Sequence, residues 1–197
     1  MFPHPYLPLV QNISRHVLLT EAEQQHIVRQ FRYRRVRKRQ LILQAGDRCL
    51  VESFVVAGAL KCSITDLRGV EHVLYFAVDD WWAADHASFL GGTPATWDIE
   101  ATEDSELLQI DYAGTQALYE AVPTYERFSR IMFQRAYTAL QERIFGIYSL
   151  TAEQRYTAFL QKYPNMSQRF AQKHIASFLG VTPEYLSKIR PHIEPFS

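Results

Sequence analysis

Glu184 and Lys188 stand one helical turn apart in the stretch QKHIASFLGVTPEYLSKIR at 172–190. On a helix this spacing brings a carboxylate and an ammonium to one face. A polar helix face of this kind can lie in a DNA major groove. An i, i+4 ion pair on a solvated helix is the ordinary alternative, worth only about 0.3–0.5 kcal/mol. Both can hold in the free protein. Ile175, Leu179, Val181, Leu186 and Ile189 are apolar where two crossed helices must touch, Ala176 is small where they pack closest, and Gly180 permits the backbone angles of a tight turn. These features predict a helix-turn-helix whose second helix presents Thr182, Glu184, Tyr185, Ser187 and Lys188 outward, a polar set suited to a DNA major groove. Arg169, Lys173 and Arg190 are candidate phosphate contacts beside it.

The charge distribution agrees. The net charge of zero conceals +5 over residues 1–72, −11 over 73–126, where no Lys or Arg occurs, and +6 over 127–197. The basic third holds the helix-turn-helix, as a surface that follows phosphates requires. A second basic run, RQFRYRRVRKR at 29–39, reads best as a solvated edge strand whose charges block edge-to-edge pairing; contact with DNA backbone or an acidic partner is its functional alternative.

Two cysteines, Cys49 and Cys62, lack metal-binding spacing and read as reduced packing residues. His72 and His86 are isolated, without the paired histidines and following carboxylate of a metal site. No nucleophile and base stand at a catalytic spacing, so no enzyme and no catalytic residue is expected. The absence of a long apolar run and of a secretory leader leads to the expectation of a cytoplasmic protein without membrane contact.

The elements that must position this chemistry follow from periodicity. A helix capped by Thr20 and Glu23 is expected to run to about Phe31. From Tyr33 to Asp111, short runs of Val, Ile, Phe, Tyr and Leu alternate with turn signals such as Ala45-Gly46-Asp47, Ala57-Gly58 and Asp66 to Gly69, the pattern of a β-sandwich, barrel or jelly roll. From Thr124 to Tyr148 the period is helical, with two apolar stripes. Phe133, Tyr137, Leu140, Ile144 and Ile147 form one; Phe128, Met132, Ala136 and Ala139 form the other. Two stripes need two partners, and the reading is one stripe against the chain's own β-rich domain and one against a twin helix. Pro191 is expected to end the second helix of the helix-turn-helix, leaving only His192 to Ser197 beyond it.

A β-rich domain, a long helix and a terminal helix-turn-helix, in that order, resemble the Crp/Fnr family of bacterial regulators. The resemblance rests on Gln44-Ala45-Gly46-Asp47, on Phe54-Val55-Val56-Ala57-Gly58-Ala59-Leu60, on Thr151 to Tyr156 and on Ile175 to Ile189. It implies an α+β chain: a double-stranded β-helix (jelly roll, cyclic-nucleotide-binding-like) over 1–122, a dimerisation helix over 123–148, and a short helix-turn-helix domain over 149–197. It further implies a homodimeric transcription regulator, with double-stranded DNA as its partner and RNA polymerase as a second candidate. The family's base-reading positions fall on Pro183, Glu184 and Lys188, which implies that Glu184 accepts from a cytosine amino group and Lys188 donates to guanine O6 and N7. Its phosphate cassette, a Gly-Glu pair followed by an Arg-Ser or Arg-Thr pair, falls on Ala83-Ala84 and Ala95-Thr96, so the acid and the arginine are both missing. A phosphate buried without a cation is costly. Cyclic AMP is therefore not favoured, no cofactor is expected and the effector is unknown. Trp81, Trp82, Asp85, His86 and Trp97 cluster in sequence around the degenerate cassette, either lining a pocket for a non-nucleotide molecule or plugging it. The rival readings are a ligand-binding jelly roll without DNA binding and, less favoured, a cupin-type metalloenzyme.

Overall fold

The computed structural model describes residues 4–193. It divides into two compact units. Residues up to 64 together with 75–134 form the first; residues 65–74 together with those from 135 onward form the second.

The first unit opens with helices α1 (Tyr6–Ser14) and α2 (Glu21–Gln30). Thr20 and Glu23 cap α2 reciprocally: the Thr20 hydroxyl accepts from the Glu23 amide and the Glu23 carboxylate accepts from the Thr20 amide. Eight strands follow: β1 (Arg32–Val36), β2 (Leu41–Leu43), β3 (Val51–Ala57), β4 (Ala59–Thr65), β5 (Glu71–Val78), β6 (Trp82–Ala83), β7 (Asp98–Ala101) and β8 (Ser105–Asp111). They form two four-stranded sheets of order β1-β8-β3-β6 and β2-β7-β4-β5. The expected β-roll is present.

Strands β3 and β8 are buried almost continuously rather than alternately, because both of their faces are covered. Val55 and Leu107 point into the core between the sheets with Leu43, Leu60, Cys62 and Ile99. Phe54, Leu108 and Ile110 point the other way, into a second core closed by Leu9, Ile13, Ile27, Leu118, Tyr125 and Phe128. Period-2 geometry thus lets one strand serve two cores. The basic strand β1 pairs only with β8 and lies at a sheet edge, with Arg35 on Glu106 at 3.4 Å. Lys61, 4% exposed, faces Glu100 across the β4–β7 ladder at 3.2 Å, so its ammonium is buried with its counter-charge. At Gly58, φ is +108° and a Cβ would lie 2.7 Å from the Ser105 Cα, so glycine is required on both counts.

Three short elements escape the periodicity: α1, α3 (His86–Gly91) and α4 (Tyr112–Ala121). The last two begin at aspartates whose carboxylates accept an amide of the first turn, Asp85 from Ser88 and Asp111 from Gly114. The long helix α5 runs from Pro123 to Ser149.

Beyond α5 come α6 (Ala152–Lys162), α7 (Met166–Arg169), α8 (Gln172–Leu179) and α9 (Pro183–Ile193). Thr151 and Gln154 form a capping box on α6. Tyr156, Phe159, Met166, Phe170, Ile175, Ala176, Leu179, Leu186 and Ile189 are buried and make the core of this helical part. Pro191 does not end the last helix, contrary to the expectation from sequence; α9 continues to Ile193. Proline removes one backbone donor, and near a helix end one missing bond is tolerated. The residues beyond Ile193 in the expected tail are outside the described range.

Candidate functional site

Helices α8 and α9 meet at Gly180, which caps α8 in the left-handed conformation at φ +70°. Ile175, Ala176, Leu179, Leu186 and Ile189 are buried, and Val181 is half-buried. This is the crossed pair expected from the sequence. Thr182 caps α9, its hydroxyl accepting from the Tyr185 amide at 3.2 Å. Pro183 occupies the first helical position, where a missing N–H costs nothing.

The outward face of α9 carries Thr182, Pro183, Glu184, Tyr185, Ser187, Lys188 and Arg190, all exposed. No ion pair joins Glu184 to Lys188 among the described residues. Tyr185 is committed elsewhere: its hydroxyl donates to Glu153 Oε1 on α6 at 2.7 Å, which holds the Glu153 carboxyl below its usual range and pushes the phenol up. Lys173 lies exposed in the first turn of α8, and Arg169 half-buried at the end of α7.

Along α5, Phe133, Tyr137, Leu140, Ile144 and Ile147 are 41–63% exposed. Phe128 and Met132 of the other stripe pack into the second core, while Ala136 stays exposed and Ala139 is half-buried. Spaced at alternating steps of four and three, these residues form one continuous half-exposed apolar stripe along the helix.

At the positions that the resemblance assigns to the phosphate cassette, the three alanines are packed inside the chain and Thr96 is exposed. Ala83, Ala84 and Ala95 are buried in the core between the sheets. The Tyr75 hydroxyl lies 3.2 Å from the Ala84 carbonyl and 3.3 Å from the Ala84 amide, donating to the one and accepting from the other. Gly46 donates to the Ala95 carbonyl, and Ala95 donates to that of Asp47. The Asp85 carboxylate, 1% exposed, accepts from the amides of Ser88 at 3.1 Å and Thr96 at 3.0 Å. It supplies an internal anion to the loop that joins α3 to β7. Asp85→Ala leaves the buried Ser88 amide and the partly buried Thr96 amide without their acceptor and lowers the unfolding free energy by about 1–3 kcal/mol, measured by urea denaturation at pH 7.

The three tryptophans are not gathered round one pocket. Trp81 packs against the core between the sheets, and Trp97 stacks edge-on to Tyr75 at 5.9 Å. Trp82 points into the second core against Phe31, Phe54 and Phe128, its indole N–H directed at Asn12. Adjacent residues of an extended chain face opposite ways, so Trp81 and Trp82 could not share a cavity. His86 lies edge-on to Phe133 at 4.8 Å, and burial holds its imidazole below the ordinary range.

Glu52 carries no signal in the sequence that would mark it out. It stands 3.9 Å from His86 Nε2, and burial pushes its carboxyl up to about 7. The folded state therefore holds a proton that the unfolded chain releases near 4.5, and stability declines as pH rises from there through 7. Glu52→Gln removes that loss. It is neutral at about pH 4 and stabilises by up to about 3 kcal/mol at about pH 8, read from urea midpoints across that range.

His72 pairs with Asp66 at 3.2 Å; the Val70 amide, together with that histidine, holds the Asp66 carboxyl well below the carboxylate range. No group of three or more His, Cys, Asp or Glu is arranged to hold a metal ion among the described residues. Among them, too, no helix is long and apolar enough to cross a membrane.

No protein-family model matches the chain, and no curated protein is significantly similar to it. Solved structures are. FixK2 from Bradyrhizobium japonicum is 16% identical with a TM-score of 0.71, over 82% of this chain and 84% of that one. CLP, a c-di-GMP-responsive global regulator from Xanthomonas campestris, is 13% identical with a TM-score of 0.70, over 88% and 91%. A protein from Eubacterium rectale assigned to the Crp/Fnr family of transcriptional regulators is 19% identical with a TM-score of 0.69, over 95% and 86%. With a two-sheet β-roll, a long helix and a helix-turn-helix in that order, the chain has the fold of the Crp/Fnr-type regulators.

Proposed function

We propose that this protein is a sequence-specific DNA-binding transcription regulator of the Crp/Fnr type, a homodimer paired along α5, and not an enzyme. The observation that carries the reading is the outer face of α9, polar and exposed from Thr182 to Arg190, on a helix anchored from behind by Leu186 and Ile189. Glu184 and Lys188 read base edges, with Pro183 at the first reading position; Lys173, Arg169 and Arg190 hold phosphates. Thr182 and Tyr185 shape the start of the reading helix, and Ser187 adds a hydroxyl on the same face. RNA polymerase is the further partner expected of such a regulator.

The exposed stripe on α5 supports pairing with a second copy, since five large apolar side chains at alternating steps of four and three make a coiled-coil seam. The packing at the cassette positions supports regulation without cyclic AMP. Asp85 takes the Thr96 amide, alanines stand at the acid and arginine positions, and a cyclic phosphate would meet a carboxylate rather than a cation.

Selection from a pool of random double-stranded DNA tests the reading. Two-fold symmetry places two copies of α9 in successive major grooves, so an inverted repeat with half-sites about 34 Å apart is expected. Enrichment of no sequence, or of one without two-fold symmetry, would overturn it.

A further inference from the structure

Arg143 lies on the stretch of α5 that belongs to the second unit, and among the described residues no carboxylate pairs with it. Its guanidinium donates to three backbone carbonyls: Leu74 at 2.6 Å, Val73 at 3.1 Å and Phe178 at 3.0 Å. The Phe178 ring stacks on it, 4.5 Å from ring centroid to guanidinium carbon. Phe178 sits in the last turn of α8, where helix carbonyls have no intrahelical partner and carry partial negative charge. A planar fork with five N–H groups can satisfy that carbonyl and two others at once.

Val73 and Leu74 belong to the hairpin segment 65–74, which clusters with the helix-turn-helix unit although the flanking sequence is β-rich. A second fastening lies beside the first. The Ser177 hydroxyl accepts from the Val73 amide at 2.9 Å and donates to the Glu71 carbonyl at 3.1 Å, standing in for a neighbouring strand. His174 lies 3.5 Å from the Glu71 carboxylate. At the next residue of α8, Arg155 Nε donates to the Leu179 carbonyl at 3.0 Å. Both carbonyls that close α8 before Gly180 are therefore held by arginines, and one of these arginines also grips the hairpin. Burial lowers the pKa of Arg143, with no neighbouring charge to offset it. A desolvated cation bonded to backbone carbonyls reports positions, not charges.

We propose that Arg143, seconded by Ser177, is a positioning residue for DNA reading: it bolts the hairpin 65–74 onto the end of α8 and so sets the turn from which α9 enters the groove. The hairpin is a structural part of the DNA-reading unit. The proposal rests on the function proposed above for its DNA arm alone, since the bolt itself is read without DNA.

The test uses the full chain, with Arg143→Met, Arg143→Lys and Ser177→Ala, and two readouts. The first is amide hydrogen exchange. Arg143→Met accelerates exchange in both 65–74 and 172–181 about tenfold, because each segment loses its charged hydrogen bonds to the one guanidinium that joins them. Ser177→Ala, the milder change, accelerates the Val73 amide and the same α8 segment, and carries the test should Arg143→Met not fold. The second readout is the ratio of affinity for the selected inverted repeat to that for poly(dI-dC). Arg143→Met lowers the ratio about tenfold, while poly(dI-dC) binding, governed by phosphate contacts, stays constant. Arg143→Lys keeps the charge and loses the fork, so it follows Met in both readouts. A lysine variant indistinguishable from the parent overturns the proposal, as does faster exchange confined to α5. If the parent selects no DNA sequence, the regulator reading falls and the exchange readout alone decides the bolt.

Discussion

Leu140→Asp converts the protein to a monomer in sedimentation. Leu140 is 51% exposed in the single chain, so an aspartate there is solvated in the separated protomer and the fold is preserved. At the centre of a two-helix seam the same carboxylate would be buried, without a cation, in each copy. An unpaired buried charge costs about 3–5 kcal/mol, and symmetry doubles it. That is sufficient to dissociate a dimer of micromolar affinity at any practical concentration. Ile144→Asp, one turn on, has the same effect, whereas Glu142→Ala on another face leaves the dimer intact. A Leu140→Asp protein that still sediments as a dimer would place the interface away from α5.

Lys188→Ala and Lys173→Ala separate reading from anchoring. Lys188 lies one turn beyond Glu184 on the exposed face of α9, where the proposed reading gives it the next base edge. Its removal costs about 1–3 kcal/mol at the selected site and relaxes preference at one base pair per half-site. Lys173, exposed on the first turn of α8, is the proposed phosphate contact. Its removal weakens binding to all sequences alike and reduces the salt slope by about one unit for each phosphate no longer neutralised. Binding measured across a salt series on the selected and a scrambled duplex distinguishes the two. Unchanged sequence preference in Lys188→Ala would remove α9 from the role of reading helix.

The helix-turn-helix was legible because everything that specifies it is local. Ile175, Ala176, Leu179, Gly180, Leu186 and Ile189 lie close together in the chain, and helical geometry turns their spacing into a face. The capping box at Thr20 and the turn at Asp66 to Gly69 were legible for the same reason, since each closes its hydrogen bonds between near neighbours in sequence. The two stripes on α5 could be seen but not assigned to a burial partner by period alone. Helix α4 was missed because Gly114, Thr115 and Asp111 look like turn residues until the Asp111 carboxylate caps the Gly114 amide.

By itself, then, the sequence determined the order of β-rich part, long helix and helix-turn-helix, and the polar face of α9. Tertiary structure decided what surrounds Ala84 and Thr96 and what steadies α8. Asp85 meets Thr96 across a loop, Tyr75 meets Ala84 from a different strand, and Arg143 meets Leu74 and Val73 from 69 and 70 residues away. The physical reason is the form of the interaction. A side chain bonded to a distant backbone carbonyl or amide imposes no residue type on its partner, because every residue but proline offers the same N–H and C=O, and so leaves no pattern in the chain.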